Sequence, residues 1–272
     1  MALKLHRCFM EKYAFVTCLT NEKYLPGLFV LNESLKNVES KHGLYVLIPD
    51  YNSFLSDIVS EKIPGVTVLQ CPGIPHFPEL SECNHYWLET FFKLRALSLV
   101  QFEKIILIDS DMLVLKNIDH LFECDPLSAV VAGEICHPEY KELNSGLVVI
   151  QPSETMAQEY IECIPTVYAL RKQQGLFCGD QDVFHYLNKD WVNMKHLKLQ
   201  EGYNEFFYCC DEFVKKTPNG LKDLYIVHFI GPVKPWNCSP IKMIASCLKR
   251  LKFLELRITI KYLLILRKYK KH

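Results

Sequence analysis

"YAFVTCLTNEKYLPGLFVLNESLK", residues 13–36, sets the fold class. Tyr13 to Cys18 is a short apolar strand. Thr20-Asn21 interrupts it, and Tyr24 to Leu35 then reads as a helix. Pro26 falls near the first turn, where a missing N–H costs nothing. Leu44 to Ile48 reads as a second strand. Asp50 is the expected cap of a helix from Tyr51 to about Glu61. Val66 to Leu69 is a third strand. Strand, helix, strand, helix, strand in succession argues for a parallel sheet with covering helices.

Downstream, Cys71 to Cys83 is loop-like, with three prolines and Gly73. Tyr86 to Phe102 reads as one long helix, and Ile105 to Asp109 as a fourth strand. Val130-Val131 and Leu147 to Ile150 suggest later strands. Pro152-Ser153 opens a helix to about Ile161, and Gly179-Asp180-Gln181 opens another through Leu187. Leu224 to His228 is a short strand, followed by a rigid loop with Gly231, Pro232 and Pro235. No domain boundary shows before about Pro240. The expected organisation is one α/β, Rossmann-like domain over residues 1–240, with a mostly parallel sheet between helices. A basic, helical tail follows over 241–272.

Composition bounds the function. The 272 residues are 49% apolar and 23% charged, enough for a sizeable core. Net charge is zero, so no global nucleic-acid signature exists. The charge is uneven, however. Residues 241–272 hold ten Lys and Arg against one acid, Glu255, a balance of +9; the remainder holds 21 basic and 30 acidic residues, −9. A helix with a basic face can lie on an anionic membrane or pack on the body with that face in solvent. The twelve cysteines are scattered, with no CxxC and no zinc spacing, and Cys209-Cys210 is vicinal. They read as small buried apolar groups in a reducing, cytoplasmic setting. "MALKLHRCFMEKYAF" lacks the apolar stretch of a signal peptide.

Chemistry concentrates at two strand ends. "KIILIDSDMLVL", residues 104–115, ends an apolar run in Asp109-Ser110-Asp111. In open α/β sheets ligands bind at the carboxyl ends of strands. Two carboxylates there suit a hard divalent cation that keeps positions free for phosphates. Two rivals stand beside that reading. Asp-Ser-Asp is turn chemistry, and haloacid-dehalogenase-type phosphatases also end a strand in DxD. Those usually place Thr or Val where Leu113 stands, and Phe184 occupies the place of their later acid. "VHFIGPVKPWN", residues 227–237, ends a second strand in His228. Its imidazole can be a third metal ligand or a buried structural group. Gly231 permits close backbone approach, and Lys234 offers a point charge for phosphate.

HxxGxxKPW at 228–236, together with this DxD, resembles the retaining glycosyltransferases of family 8, the glycogenin-like ones above all. "FFKLRALSL" (91–99), "LNSGLVVIQPS" (143–153) and "CGDQDVF" (178–184) resemble further motifs of that family in the same order. The resemblance runs from about 13 to 238. It implies that Asp109, Asp111 and His228 hold Mn²⁺, with Mg²⁺ as the alternative, and that the metal binds the diphosphate of a UDP-sugar. Lys234 and the Gly231 loop would contact the same diphosphate. Thr20, Asn21 and Tyr24 would line the nucleoside pocket, with Ser110 near the ribose. Lys93, Asn144, Ser145, Asp180 and Gln181 would surround the donor sugar, with Asp180 or Gln181 as the catalytic groups.

The implied reaction moves glucose or galactose from UDP-glucose or UDP-galactose to a hydroxyl of a glycan, lipid or polyol, with retention. A non-catalytic UDP-sugar-binding scaffold and a self-glucosylating primer are the alternatives. Phe177 stands where glycogenin carries an extra Asp, and Tyr208 is out of register with its glucosylated tyrosine, which weighs against the primer. A homodimer and peripheral membrane contact through the tail are compatible with the resemblance.

Overall fold

The computed structural model describes residues 12–269. The N-terminal stretch read for a leader, up to Glu11, and the last three residues of the tail lie outside the described residues.

Strands β1 (Tyr13–Cys18), β2 (Leu44–Pro49), β3 (Val66–Cys71) and β4 (Lys104–Ile108) form the parallel half of the main sheet. Strand β5 (Met112–Val114) leaves that sheet. Strands β6 (Ala129–Val130), β7 (Asn144–Ile150) and β8 (Lys198–Leu199) complete it, in the order β3-β2-β1-β4-β7-β6-β8. Strand β7 runs antiparallel to both β4 and β6. A second sheet joins β5 to β9 (Glu205–Phe206) and β10 (Ile226–His228), in the order β5-β10-β9.

The apolar runs explain why the main sheet is buried on both faces. Phe15, Val46, Ile48, Ile106 and Ile108 enter one core. Their neighbours Ala14, Val16, Leu47, Ile105 and Leu107 enter the other. Period-two side chains with apolar residues at every position need cover on both sides. Helices α1 (Leu25–Asn37) and α2 (Ser53–Lys62) provide it on the first face. Helix α3 (His85–Thr90) buries none of its own residues; the segment after it, Phe91–Ser98, covers the other face with α4 (Glu154–Glu162), α5 (Ile164–Gln173) and α6 (Asp180–Leu187).

Three expectations change. Asn52, not Asp50, caps α2: its Oδ1 accepts from Leu55 N at 3.2 Å. Asp50 N–H instead donates to Cys71 O, prolonging the β2–β3 ladder. The long helix over 86–102 stops at Thr90 and tightens into 3₁₀ turns over Phe91–Ser98. Thr90, Phe91 and Phe92 are poor helix formers. Three residues per turn also stacks Thr90 above Lys93 on the cleft side. Finally, not every cysteine is a free apolar group. Cys136 and Cys209 form a disulfide with Cα atoms 6.2 Å apart, while Cys210 stays free and buried. The 73-residue separation hid that pairing.

After α7 (Cys210–Lys216), the tail folds as α8 (Pro240–Lys249) and α9 (Phe253–Tyr269). Helix α9 packs on the body: Ile258, Tyr262, Ile265 and Leu266 join the first core. Asp211 of α7 caps it, accepting from Leu254 N and Glu255 N at 3.3 and 3.0 Å. Arg257, Lys261 and Arg267 remain exposed on the outer face. Among the described residues, no helix is long and apolar enough to cross a membrane.

Candidate active site

Strand β4 ends at Ile108 in the main sheet, and β5 begins at Met112 in the second one. Asp109-Ser110-Asp111 is therefore the joint between two sheets. Its backbone is pinned on both sides: Asp109 N donates to Gly146 O at 2.9 Å, and Phe229 N donates to Asp111 O at 3.0 Å. Antiparallel pairing of β5 with β10 sets His228 opposite Met112, beside Asp111. Sheet register alone thus brings together ligands more than a hundred positions apart.

His228 Nε2 lies 3.2 Å from Asp111 Oδ1 and 3.8 Å from Asp109 Oδ2. The candidate ligand atoms of the three residues all lie within 4.8 Å of one another. The donor set of two carboxylate oxygens and one imidazole nitrogen fits a divalent cation of the Mg²⁺ or Mn²⁺ class. The other ring nitrogen, Nδ1, meets Asn204 Oδ1 at 2.9 Å. Asn204 in turn donates through Nδ2 to Asn144 Oδ1 at 2.9 Å, which also accepts from Gly146 N. Sequence reading missed Asn204; a lone asparagine before "EFFYCC" carries no motif. Asn144, expected near the donor sugar, has its Oδ1 in this layer.

Charge in the site is balanced by two lysines. Lys93 Nζ lies 2.9 Å from Asp109 Oδ1 and 2.8 Å from Asp180 Oδ2, with Ser145 Oγ at 3.4 Å. Burial alone would lower the Lys93 pKa; Asp109 and Asp180 outweigh it and raise it. Lys234 is 4% exposed and donates to Asp111 and, at 2.8 Å, to Phe229 O. Burial works to raise the Asp111 pKa, but His228 and Lys234 hold it well below the usual carboxylate range. Asp109 goes the other way: burial, then the Asp111 charge, outweigh Lys93 and push it up. On β9, alongside β10, Glu205 is fully buried beside Glu201; burial first, then that neighbour, push its carboxyl up to about 9, which favours the uncharged form on this buried strand.

Thr20, Asn21, Tyr24, Lys93, Asp109, Ser110 and Asp111 line one cleft, together with Tyr86, Glu89 and Thr90, which sequence reading missed. Asn21 Nδ2 donates to Glu89 Oε2 at 2.9 Å, tying the β1–α1 turn to α3. Asp180 opens α6 next to the cleft, its N–H donating to Thr90 Oγ1 at 3.2 Å. Gln181 Oε1 accepts from Ser145 N at 3.1 Å. Gly231 has φ +87°, in the region that favours glycine, on the loop carrying Lys234. Two other glycines matter for closeness. A Cβ on Gly27 would sit 2.7 Å from both Ser110 O and the Trp236 ring. One on Gly146 would sit 2.7 Å from His228 Cε1 and 2.8 Å from Asn144 Oδ1. Only glycine lets α1 and β7 approach the metal-type ligands so tightly.

Comparison with known proteins agrees with this geometry. The family model of glycosyl transferase family 8 matches residues 16–239. Glycogenin-1 of Mus musculus is 33% identical over 241 residues, covering 84% of this chain and 66% of that protein. Glycogenin-1 of Homo sapiens is 32% identical, with 84% and 63% covered. The chain thus spans just under two thirds of the length of these relatives. Among solved structures, the glycosyltransferase GlyE of Streptococcus pneumoniae TIGR4 superposes with a TM-score of 0.57 at 22% identity, covering 94% of this chain and 63% of that one. The galactosyltransferase LgtC, in complex with donor and acceptor sugar analogues, gives 0.59 at 14% identity, with 82% and 89% covered. These likenesses are to the Rossmann-like glycosyltransferase fold. With its DxD, NSG, GDQ and HxxGxxKPW segments gathered at one place, the chain belongs to glycosyltransferase family 8.

Proposed function

We propose that this chain transfers glucose or galactose from its UDP-sugar to a hydroxyl acceptor, with retention at the anomeric carbon. The observation that carries this reading is one cleft lined by Asp109, Asp111 and Lys93, with His228 completing the carboxylate cluster and Asp180 reaching Lys93 at 2.8 Å. Asp109, Asp111 and His228 would hold Mn²⁺, or Mg²⁺ in its place. When bound, the cation supplies positive charge for the departing diphosphate. Lys234, already beside Asp111, adds a second positive charge where negative charge develops. Thr20, Asn21 and Tyr24 form the wall assigned to uridine, and Ser110 the part assigned to ribose. Lys93 holds the Asp180 carboxylate in place at 2.8 Å beside the cleft, where it would steady positive charge at the anomeric carbon. Ser145 N–H fixes the Gln181 amide on the same side. Residues 1–240 are read as the transferase domain, and 241–272 as an extension that braces it: Tyr262 of α9 packs edge-on against Phe229, next to His228.

The test is UDP release from a panel of nucleotide sugars with Mn²⁺ and a mixed set of acceptors. Release from UDP-glucose or UDP-galactose, abolished by EDTA, is the expected result. Turnover only with ADP- or GDP-sugars would overturn the uridine assignment. Tight UDP binding without release from any donor would make the protein a binder.

The outer face of α9 places Ile260 and Leu264, 43% and 62% exposed, among Arg257, Lys261 and Arg267. That combination supports peripheral contact with an anionic membrane, at about 1 kcal/mol per basic residue near the surface. Flotation with phosphatidylserine-containing vesicles should retain the protein, and charge reversal of the three basic residues should release it. Equal retention by neutral vesicles would sink this part of the reading.

A further inference from the structure

Phe177 is a large apolar side chain that is 70% exposed, yet it is held in place. Its ring stacks on Trp87, with centroids 5.6 Å apart and planes 20° apart. Tyr86 buttresses Trp87 edge-on at 5.1 Å. The backbone is equally fixed: Arg171 Nε donates to Phe177 O at 3.2 Å and pairs with Asp182 of α6 at 3.0 Å. Leu176 N–H closes the turn onto Arg171 O at 3.0 Å.

The position of this pair matters more than its exposure. The Trp87 ring lies against the backbone of Gly179, where a Cβ would sit 3.2 Å from Trp87 and 2.9 Å from Thr90 Oγ1. The next residue is Asp180, whose Oδ2 reaches Lys93 at 2.8 Å. Tyr86 and Thr90 line the cleft itself. An open aromatic face therefore stands at the mouth of the cleft on the Asp180 side. Thr20 and Asn21, assigned to uridine, belong instead to the β1–α1 turn.

We propose that Phe177, backed by Trp87, is the acceptor subsite, and that its occupant is a pyranose ring. A pyranose offers an apolar C–H face that packs flat on an aromatic ring, while its hydroxyls stay at the edge, in water or toward the cleft. A rigid, exposed aromatic loses little conformational entropy on such contact. The inference deepens the transferase reading and rests on it: a hydroxyl of the stacked sugar would be the group that receives the hexose. A free oligosaccharide and a glycolipid headgroup present the same ring.

Saturation-transfer difference NMR without donor tests this with four probes. They are methyl α-D-glucopyranoside, methyl β-D-galactopyranoside, maltotriose and octyl β-D-glucopyranoside. Saturable binding of at least one is expected, weakened about tenfold in Phe177→Ala and retained in Phe177→Tyr. Binding of the octyl glycoside alone identifies a lipid-borne ring; binding of the methyl glycosides or maltotriose identifies a free glycan. No saturable binding of any probe, or unchanged affinity in Phe177→Ala, overturns the proposal. UDP binding to the wild-type protein, measured in the same samples with Mn²⁺, tests the transferase reading separately. UDP binding with no sugar binding removes the subsite alone.

Discussion

Asp111→Ala is expected to lower UDP release by roughly 10²–10³-fold. This residue has three partners in the structure. Its Oδ1 lies 3.2 Å from His228 Nε2, its Oδ2 accepts from Lys234, and its backbone O accepts from Phe229 N. Removing the side chain takes away one candidate metal ligand and leaves the buried Lys234 ammonium with Phe229 O and the face of the Tyr24 ring, and no carboxylate hydrogen-bonded to it. Breaking a buried pair from one side costs about 3–5 kcal/mol, so Asp111→Ala should also lower the melting temperature. Asp111→Asn separates the two effects. It keeps the shape and one acceptor for Lys234, and so should fold nearly as well, yet it removes the charge that a cation needs. The expected outcome is near-native melting with activity lost as in the alanine variant. Asp111→Asn with more than half the wild-type rate would show that the residue is a structural anchor and not a metal ligand.

How much of this was legible beforehand follows from which interactions are local. The first half of the sheet could be read because each β–α step is written in one contiguous run, as in residues 13–36. Period-two faces and the Ser153 cap of α4 are equally local. The metal-type ligands were legible as types, since carboxylates and an imidazole at the ends of apolar strands stand out. Their convergence was not. It depends on β5 leaving the main sheet to pair with β10, a choice made by strands of three residues each.

What failed shares one cause. The 3₁₀ segment at 91–98 looks helical in pattern, but its pitch is set by the need to present Lys93 to Asp109 and Asp180 while Phe91, Leu94 and Leu97 stay buried. The Cys136–Cys209 pairing joins the loop after β6 to the 3₁₀ turn between β9 and α7. Asn204 meets its site partners 24 and 60 positions away, and Glu89 ties to Asn21 68 positions away. Tertiary contacts between residues of ordinary type leave no trace in a single sequence. Glycines are an intermediate case. Gly146 was visible within NSG, but its reason, the His228 ring 2.7 Å from where a Cβ would be, needs the fold.

Asn204→Ala should weaken Mn²⁺ binding by about 10–100-fold while leaving Asp109 and Asp111 untouched. The donors and acceptors linking Gly146, Asn144, Asn204 and His228 admit one arrangement. Gly146 N–H can only donate, so the Asn144 atom facing it at 2.9 Å is its oxygen. The Asn204 atom facing that same oxygen, also at 2.9 Å, must then be its –NH₂. Its carbonyl oxygen is left to face His228 Nδ1, which must carry the proton. Nε2 is therefore the ring nitrogen left to face the gap beside Asp109 and Asp111, where it can serve a cation. A backbone N–H thus fixes the ring tautomer through two side-chain amides, and the usual ambiguity of amide and imidazole orientation disappears. In Asn204→Ala the imidazole loses its anchor and can rotate or change tautomer, which removes a ligand part of the time. Asn204→Asp should fall between. It still accepts from Nδ1, but its second oxygen faces Asn144 Oδ1, acceptor against acceptor. The measurement is Mn²⁺ affinity by calorimetry, paired with the Mn²⁺ concentration giving half-maximal UDP release. Both should move together, and saturating metal should restore most of the rate in Asn204→Ala. Unchanged Mn²⁺ affinity in that variant would mean that His228 binds no metal and only packs between the two sheets.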